Sequence, residues 1–104
     1  MNYKKTAEIT YLKFSEIEGN QNIAGDYALE FILRLIKDFK IKNVLEIGLG
    51  IGSVSDAIMM YAKNNGLQIT YTGTEANQYC IEVLPKNVNY FNEINLLRCS
   101  DNYL

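Results

Sequence analysis

Apolar positions along the chain change period several times, and each change marks an element. In residues 26–40, Leu29, Ile32, Leu33 and Ile36 recur at i, i+3, i+4 and i+7, the single stripe of an amphipathic helix. Glu30, Arg34, Lys37 and Lys40 fall largely off that stripe, and Asp26 is expected as the N-cap. Asn43–Ile47 reads as a short apolar strand with one acid inside it. Ser53–Lys63 reads as a helix with Val54, Ala57, Ile58 and Tyr61 on one side, ended by Asn64-Asn65-Gly66. From Leu67 the period drops to two: Leu67, Ile69 and Tyr71 alternate with Gln68, Thr70 and Thr72, a strand closed by Gly73-Thr74-Glu75. Asn77–Leu84 is a short helix that Pro85 is expected to stop. Ile94–Cys99 fits a third strand; Phe91, Ile94 and Leu97 also fit one helix face, and the two preceding strand–helix units favour the strand. Residues 1–25 show no clear period. Ser15 and Glu18 imitate a capping box, but Gly19, Asn20 and Asn22 follow at once, so an arm or a short helix is expected. The pattern divides the chain into an N-terminal arm, 1–25, and one α/β unit, 26–104.

Composition narrows what this unit can do. A chain of 104 residues with 48% apolar and 21% charged residues is an ordinary globular balance. It has no histidine, which removes a Ser-His-Asp triad, a histidine base and any histidine-ligated metal from this chain, and no metal site is expected. A net charge of −2 argues against a nucleic-acid backbone binder. Cys80 and Cys99 form no Cys-x-x-Cys pair. Two cysteines are too few for a disulfide scaffold. The most apolar stretch, Tyr27 to Phe39, contains Glu30, Arg34, Lys37 and Asp38, so no membrane span is expected. Lys4 and Lys5 imitate the start of a signal peptide, but Glu8 and Lys13 interrupt any apolar run behind them. The expectation is a soluble cytoplasmic protein with reduced thiols.

The chemistry concentrates in one unit: strand, Gly-x-Gly-x-Gly, helix, strand, acid. Gly48, Gly50 and Gly52 fall where the first strand meets a helix, the place where glycines let backbone turn sharply and approach a ligand. The helix starting near Ser53 points its free N–H groups and its positive end at the same spot. Taken alone, such a loop is also a plain strand-to-helix turn. Glu46 lies two residues before the first glycine, where burial is expected. Buried carboxylates want a partner, and a ligand cation or amine would supply one. Its plain reading is a solvated edge acid. Glu75 ends the second strand, 23 residues after Gly52, where an acid in a doubly wound sheet accepts both ribose hydroxyls. Its plain reading is an acid favoured by the start of the following helix. A dinucleotide fingerprint wants Gly-x-Gly-x-x-Gly, but Ser53 occupies the third glycine's position, and Glu46 would repel a pyrophosphate. A cationic ligand with a ribose fits better.

Val44-Leu45-Glu46-Ile47-Gly48-Leu49-Gly50-Ile51-Gly52 resembles motif I of the class I S-adenosylmethionine-dependent methyltransferases, and Glu75 resembles their acidic ribose-binding residue. The preceding amphipathic helix and Ser53 are similar to the small-molecule O-methyltransferase branch, and the resemblance covers about residues 24–84. It implies a Rossmann-like α/β fold, a parallel sheet with flanking helices, truncated after about three strands. It implies S-adenosylmethionine as cofactor. Gly48, Gly50 and Gly52 would shape the methionine side, Glu46 would hold the amino group, and Ser53 would donate to the carboxylate. Glu75 would clamp the ribose, Ala76 or Asn77 would border the adenosine, and Asp101 is the weaker match to an acid that touches adenine.

The family's catalytic base, metal carboxylates and acceptor pocket lie in the second half of its fold, so no residue here is assigned to catalysis. A truncated methyltransferase acting on a small-molecule acceptor only if completed is the leading expectation. A nucleotide-binding module without methyl transfer and a small α/β interaction protein stay open beside it. With the first strand central in the order 3-2-1-4-5, a missing fourth strand leaves Val44–Ile47 as an open apolar edge, and homodimerisation or aggregation through it is expected.

Overall fold

The structure is a computed structural model and describes residues 2–99. Asp101 lies outside the described residues. Four α-helices and three strands follow in the order α1 (Tyr3–Ser15), α2 (Asp26–Phe39), β1 (Asn43–Ile47), α3 (Ser53–Asn64), β2 (Thr70–Glu75), α4 (Gln78–Asn87) and β3 (Ile94–Arg98). All strand pairs are parallel and the sheet order is β1-β2-β3. This is the expected α/β, Rossmann-like arrangement: an open three-stranded parallel sheet with flanking helices.

The crossovers β1–α3–β2 and β2–α4–β3 step the same way across the sheet. Right-handed connections therefore put both helices on one face. Leu29, Leu33 and Ile36 of α2 join Ala57, Ile58 and Tyr61 of α3, Leu84 of α4 and Tyr71 of β2 in one core on that face. The other face carries the cross-strand rows Leu45–Thr72–Asn95 and Ile47–Thr74–Leu97. Leu45, Ile47 and Leu97 there are 63%, 72% and 52% exposed.

Three local expectations are corrected. Residues 3–15 are neither an arm nor a short helix but a 13-residue helix. Its buried stripe is Thr6, Ala7, Thr10 and Phe14, small and hydroxylated side chains that leave no apolar period to read. Asn2 caps it, its side chain accepting from the Lys5 N–H at 2.8 Å. Asp26 is the first residue of α2 rather than its cap; Gly25 takes the cap position and Asp26 accepts from the Tyr27 N–H. Pro85 sits inside α4, which runs on to Asn87. The lost backbone hydrogen bond falls in the last turn, where the fully buried Leu84 and nearly buried Val88 anchor the backbone by packing. The helix expected at 53–63 and the strand at 43–47 stand as read. Leu67 and Ile69 precede β2.

Besides the buried Ala7 and Phe14, an ion pair ties α1 to the rest. The Lys13 ammonium lies 2.8 Å from Asp56 on α3, and the Asp56 side chain is fully buried. The same ammonium donates to the Asn87 carbonyl at 2.6 Å, and the Asn89 N–H donates to the other Asp56 oxygen at 2.9 Å. Replacing Lys13 with Met strands a buried carboxylate, so urea unfolding is expected to show a loss of about 3–5 kcal/mol. Thr10 gives the opposite result. Its hydroxyl is buried and has no hydrogen-bond partner. Thr10→Val, nearly isosteric, is expected to raise stability by about 1 kcal/mol in the same measurement.

Candidate functional site

The glycine loop joins β1 to α3, and three of its residues need the left-handed backbone: Gly48, Gly50 and Gly52 have φ of 80°, 60° and 103°. They serve different purposes. A Cβ added at Gly48 or Gly50 would meet nothing within 4 Å, so the backbone there borders open space. A Cβ at Gly52 would collide with Val88, just past the end of α4, and crowd Leu84 within it, so that glycine lets the loop seat on the end of α4. Ser53, the first residue of α3, is buried, and the N–H groups of that first turn have no acceptor within the helix. The positive end of α3 therefore meets the loop.

The end of β2 grips the first half of the loop. The Gly48 N–H donates to the Thr74 hydroxyl at 3.0 Å and the Leu49 N–H to the Thr74 carbonyl at 2.8 Å. The Gly50 N–H donates to Glu75 Oε1 at 2.7 Å. Glu75 Oε2 accepts from the N–H groups of Asn77 at 3.0 Å and Ala76 at 3.2 Å. One carboxylate thus ties loop, strand end and the start of α4 together. The Asn77 side chain caps α4, accepting from the Cys80 N–H at 3.0 Å. Glu46, Gly48, Gly50, Gly52, Ser53, Glu75, Ala76 and Asn77 all lie at the C-terminal ends of β1 and β2 or in the segments that follow them.

Glu46 is half-buried. Tyr71, fully buried on β2, donates its hydroxyl to Glu46 Oε1 at 2.6 Å. Burial raises the Glu46 pKa, and the Glu75 charge raises it further. The Tyr71 bond offsets part of this, and the balance leaves Glu46 at about 7 against an ordinary 4.5. Burial and the adjacent Glu46 raise Tyr71, keeping it a neutral donor. Burial and then Glu75 raise the Cys80 thiol, so it is no thiolate nucleophile. Both cysteines are free.

Several contributors carry little signal in the sequence. Tyr71 counted only as an apolar strand position; a hydroxyl at an inward site beside an acid-bearing strand was the available signal. Thr74 carried no signal. Asn87, which donates from Nδ2 to the Ile51 carbonyl at 3.0 Å, is distant in sequence and was unreadable. A cavity of about 800 Å³ opens at the other end of the sheet, bordered by Lys40, Asn43, Tyr61, Leu67 and Thr70. It is remote from the glycine loop, since Asn43 and Thr70 begin the strands whose other ends carry the site.

A parallel sheet whose first strand runs into a glycine loop, with an acid before the loop and another ending the second strand, defines a class. The chain has the class I methyltransferase fold. It is similar to a caffeoyl-CoA O-methyltransferase from Staphylococcus aureus, with a TM-score of 0.72 and 25% identity over 90% of this chain and 44% of that one. It is also similar in fold to an RNA methyltransferase from Pyrococcus horikoshii, with a TM-score of 0.66 and 18% identity over 100% of this chain and 54% of that one. The chain thus spans about half the length of the solved structures it matches. No protein-family model matches the sequence, and no curated protein does. Among the described residues no helix is long and apolar enough to cross a membrane.

The raised Glu46 pKa has a definite sign in stability. Between pH about 4.5 and 7 the folded chain holds a proton that the unfolded chain releases. Stability from this group is complete below 4.5 and is lost as pH rises through 7. Glu46→Gln should therefore match the parent at pH 4 and exceed it at pH 8. The difference in urea midpoints between the two proteins, followed across that range, checks it.

Proposed function

We propose that this chain binds S-adenosylmethionine at the glycine loop and supplies the cofactor-binding half of a methyltransferase. The observation that supports the reading is the open space over Gly48 and Gly50, with Glu75 bonded to the Gly50 N–H and close enough to Glu46 to raise its pKa. A ligand approaching there would meet bare backbone beside the Glu75 carboxylate that holds Gly50, with Glu46 within electrostatic reach of Glu75. Glu46, poised near neutrality, ionises readily against a cationic amine. Glu75 Oε1 accepts one N–H and retains a lone pair for a ribose hydroxyl. Gly52 and Ser53 bring the start of α3 to a ligand carboxylate. Ala76 and Asn77 border the adenosine side. The cofactor supplies the electrophilic methyl when bound; the chain's own residues hold and orient it.

The acceptor in this proposal is a small molecule. The likeness to the caffeoyl-CoA O-methyltransferase from Staphylococcus aureus and the acidic net charge both favour that class. A cytoplasmic setting belongs to the same proposal. Isothermal titration with S-adenosylhomocysteine should show binding, weakened by at least about tenfold in Glu75→Ala or Gly50→Val. Affinity should rise from pH 6 to 8 as Glu46 loses its proton. Heat from NAD alone would instead favour a nucleotide-binding module without methyl transfer, and heat from neither an interaction protein.

We further propose self-association through β1. In the described sheet that strand pairs only with β2 and leaves its other edge free beside the exposed Leu45 and Ile47. Light scattering should show mass rising with concentration, and Ile47→Lys should reduce the rise. A clean monomer at high concentration overturns the idea.

A further inference from the structure

We propose that Asn87 is a positioning residue for the glycine loop, and that Lys13 of α1 holds it in place. Left-handed glycines leave the peptide planes between them almost free to turn, because no Cβ opposes the alternative orientation. Hydrogen bonds from outside the loop must choose one. The first half of the loop has three such bonds, all from the end of β2: Gly48 and Leu49 to Thr74, and Gly50 to Glu75. In the second half the Gly52 N–H donates to the Leu49 carbonyl at 3.2 Å within the loop, the Gly52 carbonyl accepts from Ser55 and Asp56 of α3, and the Ile51 carbonyl is held from α4. Asn87 Nδ2 donates to the Ile51 carbonyl at 3.0 Å, from a residue only 4% exposed. Leu84 and Val88, on either side of Asn87, form the surface against which Gly52 closes.

The Ile51 carbonyl is thereby turned into the protein. Were that peptide to flip, its carbonyl oxygen would take the place of the Gly52 N–H, losing that group's 3.2 Å bond to the Leu49 carbonyl and setting a negative dipole end beside the start of α3. Asn87 does not act alone. Its own carbonyl accepts from Lys13 at 2.6 Å, and Lys13 is fixed by the buried Asp56. Asp56 also accepts from the Asn89 N–H, fixing the turn that follows α4. A chain of contacts thus runs from the N-terminal helix through α3 and α4 to the loop. This inference rests on reading the loop as the cofactor site, but its structural half does not.

The test uses Asn87→Ala, with Asn87→Leu as a neutral, similarly sized variant should the first fail to fold. Leu33→Ala is the comparison, since Leu33 is a fully buried α2 core residue. S-adenosylhomocysteine affinity, measured well below each melting temperature, should fall about tenfold in the Asn87 variants and stay at the parent value in Leu33→Ala. Backbone amide resonances and hydrogen exchange of residues 50–54 should change in the Asn87 variants without ligand present. If the parent binds no S-adenosylhomocysteine, the cofactor reading fails, and the amide measurement still decides the positioning role. Amides 50–54 at their parent positions in a folded Asn87 variant overturn the proposal. So does an affinity loss in Leu33→Ala equal to that of the Asn87 variants.

Discussion

The pairing of Lys13 with Asp56 is the constraint on which the arrangement turns. Asp56 has no exposure of its own, and a carboxylate in that position is tolerable only with a cation and hydrogen bonds around it. Lys13 supplies the charge from α1, and the Asn89 N–H and the Lys13–Asn87 contact complete the shell. Because the two charges come from different helices, satisfying one fixes the other. Helix α1, whose stripe of Thr6, Ala7 and Thr10 offers little apolar surface, docks by this polar contact as much as by Phe14. The segment with the faintest hydrophobic signal therefore belongs to the core.

The two carboxyl groups of the candidate site answer the same problem differently. Glu75 spreads its charge over three backbone N–H groups and becomes a joint between loop and helix. Glu46 has one neutral donor, Tyr71, which does not outweigh burial, so it sits near its titration point. An acid so placed costs little to keep protonated and gains much from an arriving cation. Glycines 48 and 50 leave the space, and Gly52 closes the loop against α4. Three residues that look equivalent in sequence are doing two jobs.

Legibility followed the range of the interaction. Strand β1 and helix α3 were readable because five consecutive residues and a one-sided stripe encode them locally. The positions of Glu46 and Glu75 were readable for the same reason: each follows from its offset to a strand end. Tyr71 was half-readable, its inward direction given by alternation but its partner only by the parallel register that sets Val44 beside it. Lys13, Asp56 and Asn87 were not readable. Each is an ordinary polar residue in its own helix, and their meaning appears only where three helices meet. Pro85 misled for a related reason, since the rule that proline ends helices assumes nothing else holds the last turn, and here Leu84 and Val88 do.

The same distinction bears on the two faces of the sheet. Parallel sheets are normally covered on both faces, because their crossovers carry helices. Here both crossovers fall on one side, and Leu45, Ile47 and Leu97 remain exposed on the other. Yet the loop, Glu46, Tyr71 and Glu75 all belong to the single strand–helix–strand unit 43–75, and their supports come from α1 and α4 on the covered face. From the uncovered face Thr74 also reaches the loop, its hydroxyl accepting from the Gly48 N–H. The exposed apolar side chains of that face, Leu45, Ile47 and Leu97, make none of these hydrogen bonds, so binding at the loop and pairing along β1 draw on different side chains. A change at Ile47 can alter one while Glu75 continues to hold Gly50 as before.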